Sequence, residues 1–122
     1  MAQSILVKDY TGNFNLLQDT ETKTVTIANG ASTSTAFDVS GYKEIAVVMP
    51  SAWTTATVGL EASTTLTGTY TTVHDGNDAI AITVGTNRTV MLSNKIGPLL
   101  FVRLKASANQ DAARTLTVLL SR

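Results

Sequence analysis

Cysteine is missing from all 122 positions. Its absence excludes disulfides and thiolate metal ligands and fits a reducing compartment. Histidine occurs once, at His74, so a Ser-His-Asp relay has a single base available. Nothing in the residues around His74 supports such a relay. There is no Gly-x-Ser-x-Gly elbow, no Gly-x-x-x-x-Gly-Lys phosphate loop and no dinucleotide glycine fingerprint. Net charge is zero, with nine basic and nine acidic residues, so bulk attraction to nucleic acid or to a membrane surface is not expected. Residues 1–9 carry no basic leader followed by a long apolar run, so neither a signal peptide nor a membrane anchor is expected. Long helical periodicity is missing as well.

What the chain has instead is threonine, at roughly one position in six, well above ordinary usage. Threonine is β-branched, favours strands, and tolerates a solvent-facing position through its hydroxyl. Alternated with Val, Ile or Leu, it describes the two faces of a sandwich sheet. The clearest case is residues 99–120. There Leu100, Val102 and Leu104 share one face, and after a polar connection (106–113) Leu116, Val118 and Leu120 share another, with Thr115 and Thr117 opposite. Such period-two alternation predicts half-buried antiparallel strands.

The same pattern recurs upstream. Val25 and Ile27 alternate with Thr24 and Thr26 before an Asn29-Gly30 turn. Phe37 and Val39 follow. A nearly continuous apolar run over 43–49, stopped by Pro50, suits a central strand. Val58, Leu60 and Ala62 form one face, then come 70–73, the alternation of Ile80, Ile82 and Val84, and finally Val90 with Leu92. With Gly, Pro, Asn and Asp between them, these predict an all-β chain. The expected architecture is an antiparallel, jelly-roll-like sandwich of about eight to ten short strands. Residues 1–22 differ, with Ile5, Leu6 and Val7 followed by a turn-rich stretch holding Phe14, Leu16 and Leu17. They are read as an N-terminal arm or an edge strand, and 23–122 as the sandwich domain. The length suits a single core.

Candidate chemistry is sparse. Asp75, Asn77 and Asp78 crowd oxygen ligands of the kind calcium takes. Their spacing is not that of an EF-hand, and Asp75-Gly76 is also a hairpin turn signal, so no metal site is assigned. Trp53, the lone tryptophan, suits a core or subunit contact, or a platform for a sugar ring. Tyr42 and Tyr70 share that ambiguity. Basic residues gather late in the chain. Arg103, Lys105 and Arg114, if on one face, would dock an acidic partner; otherwise they are the solvated side of two neighbouring strands, where lysine also blunts edge pairing. Asn87-Arg88-Thr89 matches a glycosylation acceptor but has no secretory context.

The succession Met49-Pro50-Ser51-Ala52-Trp53, then Val58-Gly59-Leu60-Glu61-Ala62-Ser63, then Gly68-Thr69-Tyr70-Thr71-Thr72-Val73 resembles a family of small virion structural proteins of tailed bacteriophages. Phe101-Val102-Arg103-Leu104-Lys105-Ala106-Ser107 and Asn109-Gln110-Asp111-Ala112-Ala113-Arg114-Thr115-Leu116 extend the resemblance, which covers roughly residues 41–120. It implies a β-sandwich of the capsid-decoration or head-associated type, with no catalytic residues and no cofactor. It further implies a place on the capsid surface of the virion after synthesis in the host cytoplasm. The partner expected is the major capsid protein or another virion protein, with a homo-oligomer likewise expected and neither nucleic acid nor membrane. Candidate capsid or subunit contacts are Ile5, Leu6, Val7, Phe14, Trp53, Arg103, Lys105 and Arg114. Because the Gly68–Tyr70 hairpin is also similar to hairpins of galactose-binding jelly rolls, a host-surface glycan held by Trp53, Tyr70, Asp75 and Asp78 is the alternative. A tail or neck component is a further one.

Overall fold

The computed structural model describes residues 20–122 in full, together with the backbone of two earlier strands. In chain order the strands are β1 (Ile5–Lys8), β2 (Phe14–Leu17), β3 (Thr20–Ile27), β4 (Phe37–Asp38), β5 (Glu44–Val48), β6 (Thr57–Ser63), β7 (Thr71–Thr72), β8 (His74–Asp75), β9 (Asp78–Ala79), β10 (Ala81–Thr83), β11 (Thr89–Ser93), β12 (Phe101–Ala106) and β13 (Arg114–Ser121). The thirteen exceed the expected eight to ten, and four of them (β4, β7, β8 and β9) have only two residues each. Among the described residues no helix is long and apolar enough to cross a membrane.

Every pairing is antiparallel. One sheet runs β11-β5-β13-β3; the other runs β10-β6-β12-β4, with β7 added against β6. From β3 to β6, and again from β10 to β13, successive strands alternate between the sheets. Only the β6–β10 step stays in one sheet, and it carries β7 and the β8–β9 hairpin as an insertion. With β7 set aside as part of the insertion, two sheets of four strands wound in this order make a jelly roll.

The core follows from strand parity. Ile45 and Val47 of β5, Val58 and Leu60 of β6, Val102 and Leu104 of β12, and Leu116, Val118 and Leu120 of β13 are all at most 1% exposed. Each contributes on the order of 2 kcal/mol by leaving water. The apolar run at 43–49 is the predicted central strand, since β5 lies between β11 and β13. Leu100 departs from its predicted place. It is 44% exposed, because the strand starts only at Phe101 and the turn beginning at Gly97-Pro98 precedes it. Leu100→Ser is accordingly expected to change stability by less than about 0.5 kcal/mol in a urea melt.

The first sandwich strand also begins earlier than the boundary at 22/23, since Thr20 already pairs with Ser121. The alternation there is hidden because the inward positions, Glu21 and Lys23, are charged. They lie 3.7 Å apart at the rim, and the Glu21 carboxylate accepts a hydrogen bond from the buried Tyr42 hydroxyl. Before that strand, β1 and β2 form a two-stranded hairpin with Ile5 opposite Leu17 and Leu6 opposite Leu16. The side chains of Ile5, Leu6, Val7 and Phe14, named above as contacts, lie outside the described residues.

The winding sorts the loops into two ends. Residues 28–36, 49–56, 84–88 and 107–113 lie at one end; 39–43, 64–70 and 94–100 lie at the other, with the start of β3 and the end of β13. At the second end both the Ser40 amide and hydroxyl donate to Asp38 Oδ1 at 2.7 Å, which holds the Asp38 carboxyl below its usual range. A depressed carboxyl stabilises the fold above its unfolded pKa of about 4 and loses that contribution as pH falls through the folded value. Urea melts should therefore show the stability gap between wild type and Asp38→Asn shrinking as pH is lowered below about 4.

Candidate interaction surfaces

At the first end, Gln110 joins three loops. Its backbone accepts from Gly30 N at 2.8 Å and donates to Ala31 O at 2.9 Å. Its side chain, 1% exposed, accepts from Thr54 N at 2.9 Å and donates to Thr54 O at 3.2 Å. It thereby pairs with the Thr54 backbone as a neighbouring strand would, although the two are 56 residues apart. Arg114 closes the cluster, donating to Gln110 Oε1, to Thr54 Oγ1 and, at 2.6 Å, to Asp111 Oδ1. Trp53 packs half-buried against the core, and its Nε1 donates to Ala56 O at 3.3 Å. The polar connection over 106–113 is therefore a fastened corner of the fold.

The basic trio does not share a face. Arg103 and Lys105 stand together on the outside of the five-stranded sheet. Arg114 is on the other sheet, with its side chain 12% exposed and its guanidinium committed to the corner. Strand parity in sequence could not reveal that β12 and β13 belong to different sheets. Arg103 is occupied too, pairing with Glu61 at 2.7 Å and stacking 4.7 Å over the Tyr70 ring. Lys105 Nζ reaches Ser32 Oγ at 2.7 Å.

The glycan candidates are spread apart. Trp53 precedes β6 and Tyr70 follows it, so the two lie at opposite ends of a seven-residue strand, about 20 Å long. The Tyr70 hydroxyl donates to Leu66 O at 2.7 Å. Asp75 and Asp78 face each other across the β8–β9 turn, where Gly76 has φ of 68°, as a tight hairpin loop requires. Asp75 pairs with Lys95 at 3.1 Å in an exposed setting. Among the described residues, no group of three or more His, Cys, Asp or Glu side chains is placed to hold a metal ion.

A surface that was not singled out from sequence is the outside of the four-stranded sheet. The register lines up Thr22, Leu119, Ala46 and Met91 in one row across its strands, and Thr24, Thr117, Val48 and Thr89 in the next. Thr26 with Thr115, and Thr20 with Ser121 and Glu44, continue it. A shallow concavity runs from its centre, at Thr22, Ala46, Met91 and Leu119, to the end of the sheet where Glu21 and Glu44 line it. Met91 is 59% exposed there. Glu44, which accepts from the Ser121 hydroxyl at 3.1 Å, is the one ionisable group in these rows. The opposite outer face carries Glu61, Arg103 and Lys105. The threonine alternation was visible in sequence, but its union with Ala46, Val48, Met91 and Leu119 depends on the register of four strands.

No family model matches the chain, and no curated protein matches it. Among solved structures it is similar to the crystal structure of the SPBc2 prophage-derived protein YomS. The two superpose with a TM-score of 0.52 at 18% sequence identity, over 84% of this chain and 95% of YomS. The likeness is one of fold. YomS and this chain share an architecture over nearly the whole of YomS, so the jelly-roll reading of the strand order has a solved counterpart in a protein of prophage origin.

Proposed function

We propose that this chain is a non-enzymatic structural protein of a tailed-phage virion, a decoration protein that binds the assembled head at its surface and stabilises it as a symmetric oligomer. The observation that carries the reading is the outer face of the four-stranded sheet, a surface of threonine and aliphatic side chains whose carboxylates, Glu21 and Glu44, gather at one end. Within it the apolar strip of Ala46, Val48, Met91 and Leu119, with Met91 well exposed, is the part suited to a protein contact. The fold shared with a prophage-derived protein supports the phage origin, and the sequence resemblance supports the virion role. The chemistry is that of linkage. A protein that binds the closed lattice, and not loose capsid subunits, stabilises the lattice by mass action at every occupied site. Its partner is the major capsid protein or another virion protein.

The test uses purified full-length protein and heads assembled without it. Co-sedimentation should saturate at a fixed number of copies per capsomer, and decorated heads should release their DNA at a higher temperature than bare ones. Protein that stays in the supernatant, or that binds isolated tails in place of heads, contradicts the reading. The glycan alternative predicts a change in Trp53 fluorescence on titration with sugars. With the indole wedged against the core and bonded to Ala56, no change is expected.

A further inference from the structure

We infer that a second copy of this chain pairs with it edge to edge along β11, closing the side of the sandwich that one copy leaves open. The inference deepens the assembly part of the reading above and leaves the outer face to the head. Its test contains no capsid, so the two readings fail separately.

The two sides of the sandwich differ. On the β3–β4 side residues 33 and 34 sew the sheets together, with Ser34 bridged to Ile27 of β3 and Thr33 to Lys105 of β12. Val25, Ile27, Phe37 and Val39 are buried there. On the β10–β11 side no strand or bridge joins the sheets among the described residues. The aliphatic side chains along it, Ile80, Ile82, Val84 and Val90, pack on the core yet are only partly buried. A hollow opens between Ile80, Ile82 and Leu92.

Of the sheet edges, β11 is also the least guarded. Charge and shortness are common protections against edge pairing. β3 carries Glu21 and Lys23, β4 has two residues and β10 has three. β11 has five, Thr-Val-Met-Leu-Ser, with neither charge nor proline, and a bulge after Met91 limits its regular part to 89–91. Met49 N donates to Arg88 O at 2.8 Å. Arg88 and Val90 therefore turn their backbone groups toward β5, and Thr89 and Met91 turn theirs outward. No backbone group among the described residues bonds to those outward groups.

The chemistry of this edge selects a copy of itself. With a two-fold axis at Val90, Thr89 of one copy meets Met91 of the other, and the N–H and C=O of both residues are all bonded. Arg88 then stands opposite Leu92 of the other copy, at the hollow that Asp78 also lines. Both Arg88 and Asp78 are exposed, and neither has an oppositely charged partner among the described residues. The axis brings each cation to a carboxylate, twice over. A short strand pair alone buries too little for a stable dimer, and the aliphatic seam, closed from both sides, adds to it.

Because the chain has no cysteine, introduced thiols have no competitors. Val90→Cys puts two thiols at the axis, where directly opposed Cβ atoms lie about 5 Å apart. Mild oxidation of this full-length variant should give a covalent dimer as the main product. Thr117→Cys, in the middle of the outer face, should stay monomeric on a denaturing gel. In light scattering the unmodified chain should have twice the monomer mass of 12.9 kDa. Arg88→Asp should weaken the dimer at least about tenfold, and Asp78→Arg added to the same chain should restore it. A monomeric wild-type chain overturns the proposal. So does a dimer that crosslinks at Thr117 and not at Val90, or one whose affinity Arg88→Asp leaves unchanged.

Discussion

Gln110→Ala is expected to lower stability by about 3 kcal/mol and the Tm by about 10 °C. The side chain is 1% exposed and makes four hydrogen bonds, two of them to the Thr54 backbone. Truncation leaves the Thr54 amide and carbonyl without partners, which costs more than the bonds themselves contributed, and it opens a void at the corner. Gln110→Met separates the two terms by keeping the volume and removing the hydrogen bonds. It should still lose about 2 kcal/mol. A methionine variant within about 0.5 kcal/mol of wild type would mean that packing alone holds the corner. Arg114→Ala should cost less, because Asp111, its closest partner, is exposed to solvent.

Gly59→Ala tests the opposite face and has a sign to decide it. In an unobstructed strand the added methyl stabilises by about 0.4–1 kcal/mol through the unfolded state. Here a Cβ on residue 59 would stand 2.1 Å from the Ile80 carbonyl oxygen, and that neighbour is backbone. Relief requires Ile80 to move, which strains the Ala81–Gly59 pairing of β10 with β6 and the bond from Ile80 N to Val73 O. The expected result is a loss of about 2–3 kcal/mol and faster proteolysis within 64–80. A variant as stable as wild type, or more so, would show that β10 does not lie this close to β6.

These two residues mark where sequence reading stops. Strands were legible wherever both faces had a periodic signature, as at Val102 and Leu104 or Leu116 to Leu120. Gln110 had no such signature. It looks like any polar loop residue, and its partner Thr54 is brought to it only by the jelly-roll winding. The Arg103, Lys105 and Arg114 grouping failed for the same reason, since neighbours in sequence order were assigned to one sheet and the fold puts β12 and β13 on two. Gly59 read as part of a motif and turned out to be a close-approach point between strands. The threonine-rich face was half visible, as alternation in single strands, and became a surface only through register.

The claim that this surface serves a head lattice is tested most directly by a low-resolution image of the intact particle, compared with one lacking the gene for this chain. The account predicts difference density repeated over the head at lattice positions, absent from neck and tail. Difference density confined to the neck or tail, or none on the particle, would contradict it.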